Sequence, residues 1–185
     1  MQRDLVLRAQ MGDHEAFTAL VAESAQRLYG VARLILRRDD AAEDAVQEAF
    51  VKAWVAIRGL RDADKFDAWI HRLLVRACYR AARREGGRRT AEVRELPMDG
   101  PRTPDSQQSL AIRDQLERGF RRLSADQRAV LVAHFYLDLS DAEAAEVLEV
   151  PVGTIKSRLS RATTALRAAL EADDRQMIVA KEPIS

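Results

Sequence analysis

The 185-residue chain contains one cysteine, Cys78, so it can close no disulfide within itself. Its three histidines, His14, His71 and His134, stand far apart in sequence and form no ligand motif, so neither a metal nor a cofactor is expected. There is no glycine-rich phosphate loop and no nucleophile elbow, which leaves an enzymatic reading without a residue to rest on. No apolar run is long enough to span a bilayer, and the opening MQRDLVLRAQMGDHE lacks the apolar core of a signal peptide. The expectation is a cytoplasmic protein with no direct membrane insertion. Net charge is only +1, so any affinity for nucleic acid has to come from local patches rather than from the molecule as a whole.

What the chain does have is helix. Five prolines and eight glycines are few for this length, and hydrophobic residues make up 47%, enough for a packed core. The pattern predicts an all-α protein of two small helical domains joined by a flexible linker, with a helix-turn-helix in the second. Leu5 to Gln10 forms a short helix, and Asp13 caps a longer one that ends near Arg37. Asp40 followed by Glu43 is a capping pattern for the next helix. That helix buries Ala41, Ala45, Val46, Ala49, Phe50, Ala53 and Ile57, and turns Glu43, Asp44, Gln47 and Glu48 outward. Acids in a first turn complement the helix dipole, but that effect fades by Gln47 and Glu48. A basic protein partner is the further expectation for this face.

A loop from Gly59 to Asp67 carries Arg61, Lys65 and Phe66, and a helix follows to about Arg84. Trp69, Leu73 and Cys78 suit its buried side. Arg72, Arg76, Arg80, Arg83 and Arg84 form a stripe, and from Ile70 to Arg89 seven arginines face one acid, Glu85. Arginines with Tyr79, Trp69 and Phe66 among them fit single-stranded nucleic acid, with cations for the backbone and rings for exposed bases. The rings taken alone are more often core. The domain boundaries drawn are 1–85, a linker at 86–105 punctuated by Pro97, Gly100, Pro101 and Pro104, a second domain at 106–172, and a frayed tail at 173–185.

In the second domain, Ser124 with Gln127 forms a capping box ahead of a helix that buries Val130, Leu131 and Phe135. Leu139 to Arg167 then reads as two helices around a tight turn. Ser140 with Glu143 caps the first, Glu149-Val150 makes the turn, and Pro151 opens the second. Ile155, Leu159, Ala162 and Leu166 share one face of that helix, while Lys156, Ser157, Ser160 and Arg161 share the other. Between Asp138 and Glu149 every charge is acidic, and between Val150 and Leu170 every charge is basic. A helix presenting only positive charge suits phosphates and base edges in a major groove. A helical hairpin with a solvated basic face is the plainer alternative.

The blocks AAEDAVQEAFVKAW at 41–54, KFDAWIHRLLVRACYRAARR at 65–84 and LSDAEAAEVLEVPVGTIKSRLSRA at 139–162 together resemble the extracytoplasmic-function (ECF) group of sigma factors. The likeness runs from roughly Gly12 to Leu170. It implies that Glu43, Asp44, Gln47 and Glu48 bind the β′ clamp helices of core RNA polymerase. It implies that Arg61, Lys65, Phe66, Trp69, Arg76 and Arg80 recognise and open the minus-ten element. Lys156, Ser157, Arg158, Ser160 and Arg161 would read the minus-thirty-five element. Promoter DNA, the polymerase β flap and an anti-sigma factor are implied partners, with the linker threading toward the RNA exit channel. The sequence departs from the family at Glu149, where glycine is usual, at Arg76 and Arg80, which are often uncharged, and at Thr163 and Thr164, often basic. A LuxR-type helix-turn-helix regulator is the alternative, since its recognition segment is similar. Residues 1–85 show no receiver, ligand pocket or dimer interface to support it.

Overall fold

The computed structural model of the chain describes residues 1–86 and 107–181, so the expected linker falls almost wholly outside the described residues. Among these residues every regular element is helical. None of the helices is long and apolar enough to cross a membrane.

The first half contains α1 (Gln2–Gln10), α2 (His14–Leu36), α3 (Asp39–Ala56) and α4 (Phe66–Gly86), with two short 3₁₀ turns, Ile57–Gly59 and Ala63–Lys65, between α3 and α4. The Asp13 side chain accepts from Ala16 N at 3.0 Å, as its capping role requires. Leu20, Leu28 and Ile35 of α2 and Ile70 and Leu74 of α4 share one core, all within 1% of complete burial. Each such side chain contributes about 1.5–3 kcal/mol. Ala42, Ala45, Ala49 and Ala53 are also buried, so α3 presents a seam of small side chains to its neighbours.

The second half contains α5 (Gln107–Arg121), α6 (Ala125–Leu131), a π-helical turn (Val132–Tyr136), α7 (Asp141–Leu148) and α8 (Val152–Lys181). Helix α8 is its spine and packs on α5, α6 and α7. Gly119 permits the α5 crossing, because a Cβ there would meet Leu170 Cδ2 at 2.8 Å and Leu166 Cδ1 at 2.9 Å.

The two halves pack against each other, α4 lying on α6 and α7, and α2 on α6. Arg128 is at the centre of this seam and only 7% exposed. Its Nε donates to Ile35 O at 2.7 Å, across the seam at the end of α2, and its Nη1 donates to Leu123 O. A cation belongs at a helix C-terminus, where carbonyls lack intrahelical donors. Burial lowers the Arg128 pKa to about 10, which leaves it charged at neutral pH. Arg37, at the left-handed end of α2, likewise donates to Arg121 O at 2.8 Å.

Four expectations need correction. Asp40 does not cap α3; Arg38 is the N-cap and its side chain makes no capping bond, while Asp40 lies inside the first turn and pairs with the Arg38 guanidinium. Phe50 is half-buried rather than core. Phe135 is 67% exposed. The π turn explains it: Leu137 N bonds to Val132 O, five residues back, and this underwinding carries Phe135 off the buried face. The tail does not fray at 173, because α8 continues to Lys181. No glycine or proline interrupts that stretch before Pro183.

His71 supplies a pH test of the seam. It is 7% exposed, and its ring lies 5.9 Å from that of Tyr136 across the seam. Nδ1–H donates to Asp67 O at 2.7 Å, while Nε2 is buried without a partner among the described residues. Burial therefore holds the imidazole pKa below its ordinary 6.5. Above about pH 6.5 the ring is neutral in folded and unfolded chains alike and contributes nothing. Below that, the unfolded chain takes up a proton that the folded chain resists. Stability should fall between about pH 6.5 and pH 5, before the carboxylates titrate. The urea midpoint of the wild type should drop across this window and that of His71→Leu should stay level; equal slopes would contradict the assignment.

Candidate nucleic-acid and partner interfaces

The acidic face of α3 separates into two parts. Glu43, Asp44 and Gln47 are exposed and make no hydrogen bond or ion pair among the described residues. Glu48 is half-buried; it pairs with Lys52 one turn on in α3 at 2.5 Å and with Arg80 and Arg84 of α4 at 2.9 Å and 3.6 Å. The next turns of the same face carry Val51 and Val55, 65% and 77% exposed. Sequence reasoning missed these valines. Their spacing from Asp44 and Gln47 was the available signal, since 44, 47, 51 and 55 lie on one stripe. A polar patch flanked by uncovered valines has the make-up of a protein-docking surface.

The loop before α4 is braced from α1. Gln10 Nε2 donates to Ile57 O at 3.0 Å and to Leu60 O at 2.7 Å. Asp62 accepts from Asp64 N at 3.1 Å, which tightens the second 3₁₀ turn. Arg61 and Lys65 project outward from this loop. Phe66 does not: it is fully buried. It supports the loop from beneath and presents no ring to a ligand in this conformation. Trp69 is half-buried, its ring 6.0 Å from Phe66, and Tyr79 is 2% exposed. The interleaved rings are thus mainly core, as large aromatics usually are.

Three arginines of α4 face the other half, although Arg80 is held more closely by Glu48 of its own half. Arg72 pairs with Glu143 at 2.7 Å, Arg76 donates to Glu146 O at 3.1 Å and lies 3.6 Å from Glu149, and Arg80 lies 3.9 Å from Glu149. Arg72 belongs with Arg76 and Arg80 in this row, although only the latter two were singled out as contact residues.

In the helix-turn-helix, Ser140 Oγ accepts from Glu143 N at 3.3 Å and the Glu143 carboxylate accepts from Ser140 N at 3.0 Å. The Ser140 amide and the Ser140 hydroxyl, which donates at 2.8 Å, hold the Glu143 carboxyl below the usual range, with Arg72 adding to the effect. Glu149 ends α7 in the left-handed conformation, φ 54° and ψ 45°. Pro151 stands just before α8 rather than within it, and its carbonyl accepts from Thr154 N at 2.9 Å. Ile155 and Ala162 are fully buried, and this fixes the rotation of α8. Lys156, Ser157, Ser160 and Arg161 are exposed together. Arg161 Nε donates to Ser157 O at 3.1 Å, which lays the guanidinium along this face. Arg158 is not part of that group. It turns into the seam, donates to Tyr79 Oη at 2.6 Å and lies 3.5 Å from Asp126.

The described residues form two packed helical halves, the second carrying a helix-turn-helix whose last helix has an exposed basic face. Residues 20–88 match Sigma-70 region 2 and residues 113–166 match Sigma-70, region 4. The ECF RNA polymerase sigma factor SigM of Mycobacterium tuberculosis is 33% identical over 155 residues, 84% of this chain and 77% of SigM. RNA polymerase sigma-H factor of Pseudomonas aeruginosa is 30% identical over 181 residues, 91% of this chain and 93% of its own length. The solved structure of CnrH in complex with the cytosolic domain of CnrY is similar at 28% identity and a TM-score of 0.55, covering 93% of this chain and 98% of that one. Sigma factor RpoE of Bartonella quintana, in complex with the anti-sigma factor NepR, gives 26% identity and a TM-score of 0.55, with 85% and 98% covered. The chain belongs to the ECF group of the sigma-70 family and is an alternative sigma factor. The region 2 match has no place in a LuxR-type regulator, and that alternative falls away.

The capping box of α7 gives a direct stability test of the helix-turn-helix. Ser140→Ala should destabilise the protein by about 1 kcal/mol, since it removes the side-chain acceptor for the Glu143 amide. Thermal unfolding followed by circular dichroism checks this, and an unchanged midpoint would mean that the cap does not carry α7.

Proposed function

We propose that this sigma factor docks on the β′ clamp helices of core RNA polymerase through Glu43, Asp44 and Gln47, with Val51 and Val55 as the apolar flank. Glu48 assists from the edge of that face by holding Arg80 and Arg84 in place. The observation that carries this reading is the outward trio, which has no partner within the described chain and lies beside uncovered valines. Domains at 1–85 and 106–172 take the two recognition tasks, with 86–105 linking them along the RNA exit channel.

Arg61, Lys65 and Trp69 meet the minus-ten element, while Phe66 supports them from the core. Arg76 and Arg80 take its backbone once they are released from the second half. Lys156, Ser157, Ser160 and Arg161 read the minus-thirty-five element, with Arg158 joining them if it leaves Tyr79. The second half also meets the β flap. The protein acts in the cytoplasm and answers to an anti-sigma factor, a reading supported by the complexes in which CnrH and RpoE were solved.

Reversing a charge on the docking face should abolish binding by like-charge contact. Asp44→Lys should fold normally, because the side chain is exposed, yet fail to co-purify with core polymerase. Recovery of a folded Asp44→Lys protein with polymerase at wild-type yield would refute the assignment. The two DNA surfaces should fail differently. Arg161→Ala should weaken dependence on the upstream element by about 1–3 kcal/mol if its contact is to a base. Arg80→Ala should leave that dependence intact and reduce permanganate reactivity of thymines in the downstream element. The same defect from both variants would mean that the surfaces are not separate.

A further inference from the structure

Glu149 occupies a backbone position that disfavours side chains. Its φ of 54° lies in the left-handed region, where a Cβ crowds the following carbonyl and glycine is favoured. A glycine could hold this turn but could reach nothing. The glutamate reaches across the seam: its Oε1 lies 3.6 Å from Arg76 Nε and 3.9 Å from Nη1 of Arg80, whose Nη2 is held by Glu48 at 2.9 Å. One turn back, Glu146 O accepts from Arg76 at 3.1 Å, and at the start of α7 Glu143 pairs with Arg72 at 2.7 Å. Successive arginines of α4, each four residues from the last, thus face the acidic side of α7.

We propose that Glu149 is an intramolecular latch, holding α7 over the arginine face of α4 in the free chain until a competing anion displaces it. The groups it occupies are those that nucleic-acid phosphates would take, so latch and phosphate exclude one another. That consequence for DNA rests on the minus-ten reading of Arg76 and Arg80; the latch itself does not. Its contacts are half-exposed, hence individually weak and screened by salt, as a reversible device needs. The Glu43, Asp44 and Gln47 face is exposed outside the seam. A protein partner can therefore dock there while the latch is shut, and DNA engages α4 afterwards.

The test uses the full chain with Glu23→Cys and Ala168→Cys, both at exposed positions on opposite halves, carrying a fluorescent donor and acceptor. The native Cys78 is fully buried and its thiol is pushed up to about 12, so it stays unlabelled. Energy transfer should be high at low salt and fall as salt rises. With the two ion pairs lost, Glu149→Gly should raise the open-to-closed ratio at fixed salt by roughly three- to tenfold and shift the salt midpoint down. Glu149→Gln should do the same, which separates lost charge from relieved backbone strain. Arg76→Gln with Arg80→Gln should open the chain to a similar extent, and adding Glu149→Gly to that pair should open it no further. Wild-type transfer and salt midpoint in both Glu149 variants would overturn the latch. So would full additivity with the arginine pair. Because neither DNA nor polymerase is present, the outcome is independent of the proposed promoter contacts.

Discussion

The arrangement of the molecule turns on a buried cation that has no carboxylate partner among the described residues. Arg128 gives its hydrogen bonds to carbonyls, Ile35 O at the end of α2 and Leu123 O before its own helix. Burying a charge is costly unless its donors are satisfied, and helix ends are where unsatisfied acceptors are available. This places the end of α2 against the start of α6 and so determines which surfaces of the two halves meet. The pairs around it, Arg72 with Glu143 and Arg76 and Arg80 with Glu149, lie at the edge and are half-exposed. The seam therefore combines a desolvated anchor with a rim whose strength varies with ionic strength.

That combination divides the functional surfaces into those available and those in use. The exposed trio on α3 and the outer face of α8 remain open. The arginine face of α4 and Arg158 are engaged, the latter under Tyr79 and beside Asp126. A net charge of +1 conceals this distribution, since α4 arginines are balanced partly by Glu48 of α3 and partly by Glu143 and Glu149, which lie far away in sequence. Two of the acids that make this segment of the helix-turn-helix negative, Glu143 and Glu149, pair with arginines of α4.

What the sequence disclosed depended on range. Capping boxes at Ser124 with Gln127 and at Ser140 with Glu143 were legible, because donor and acceptor are three residues apart and need no tertiary context. The rotation of α8 was legible for a similar reason: Ile155 and Ala162 mark its buried side by spacing alone. Asp40 was misjudged because its pairing with Arg38 and the earlier helix start took it past the cap position. Phe135 escaped because a π turn breaks the period on which such readings rely. Phe66, Arg158 and the true setting of Glu48 depend on what packs across from them, which no local pattern encodes. The spacing of Val51 and Val55 on the stripe of Asp44 and Gln47 was legible, but that nothing in the described chain covers them was not.

As an alternative sigma factor, this chain is the subunit that tells a polymerase where to begin. The most direct measurement is transcription in vitro from fragmented genomic DNA by core RNA polymerase, with and without the protein, followed by mapping of transcript 5′ ends. The account predicts new start sites that appear only with the protein and share an upstream and a downstream element at a constant separation. A set of start sites identical to that of core polymerase alone, from a protein that is folded and bound to polymerase, would contradict it.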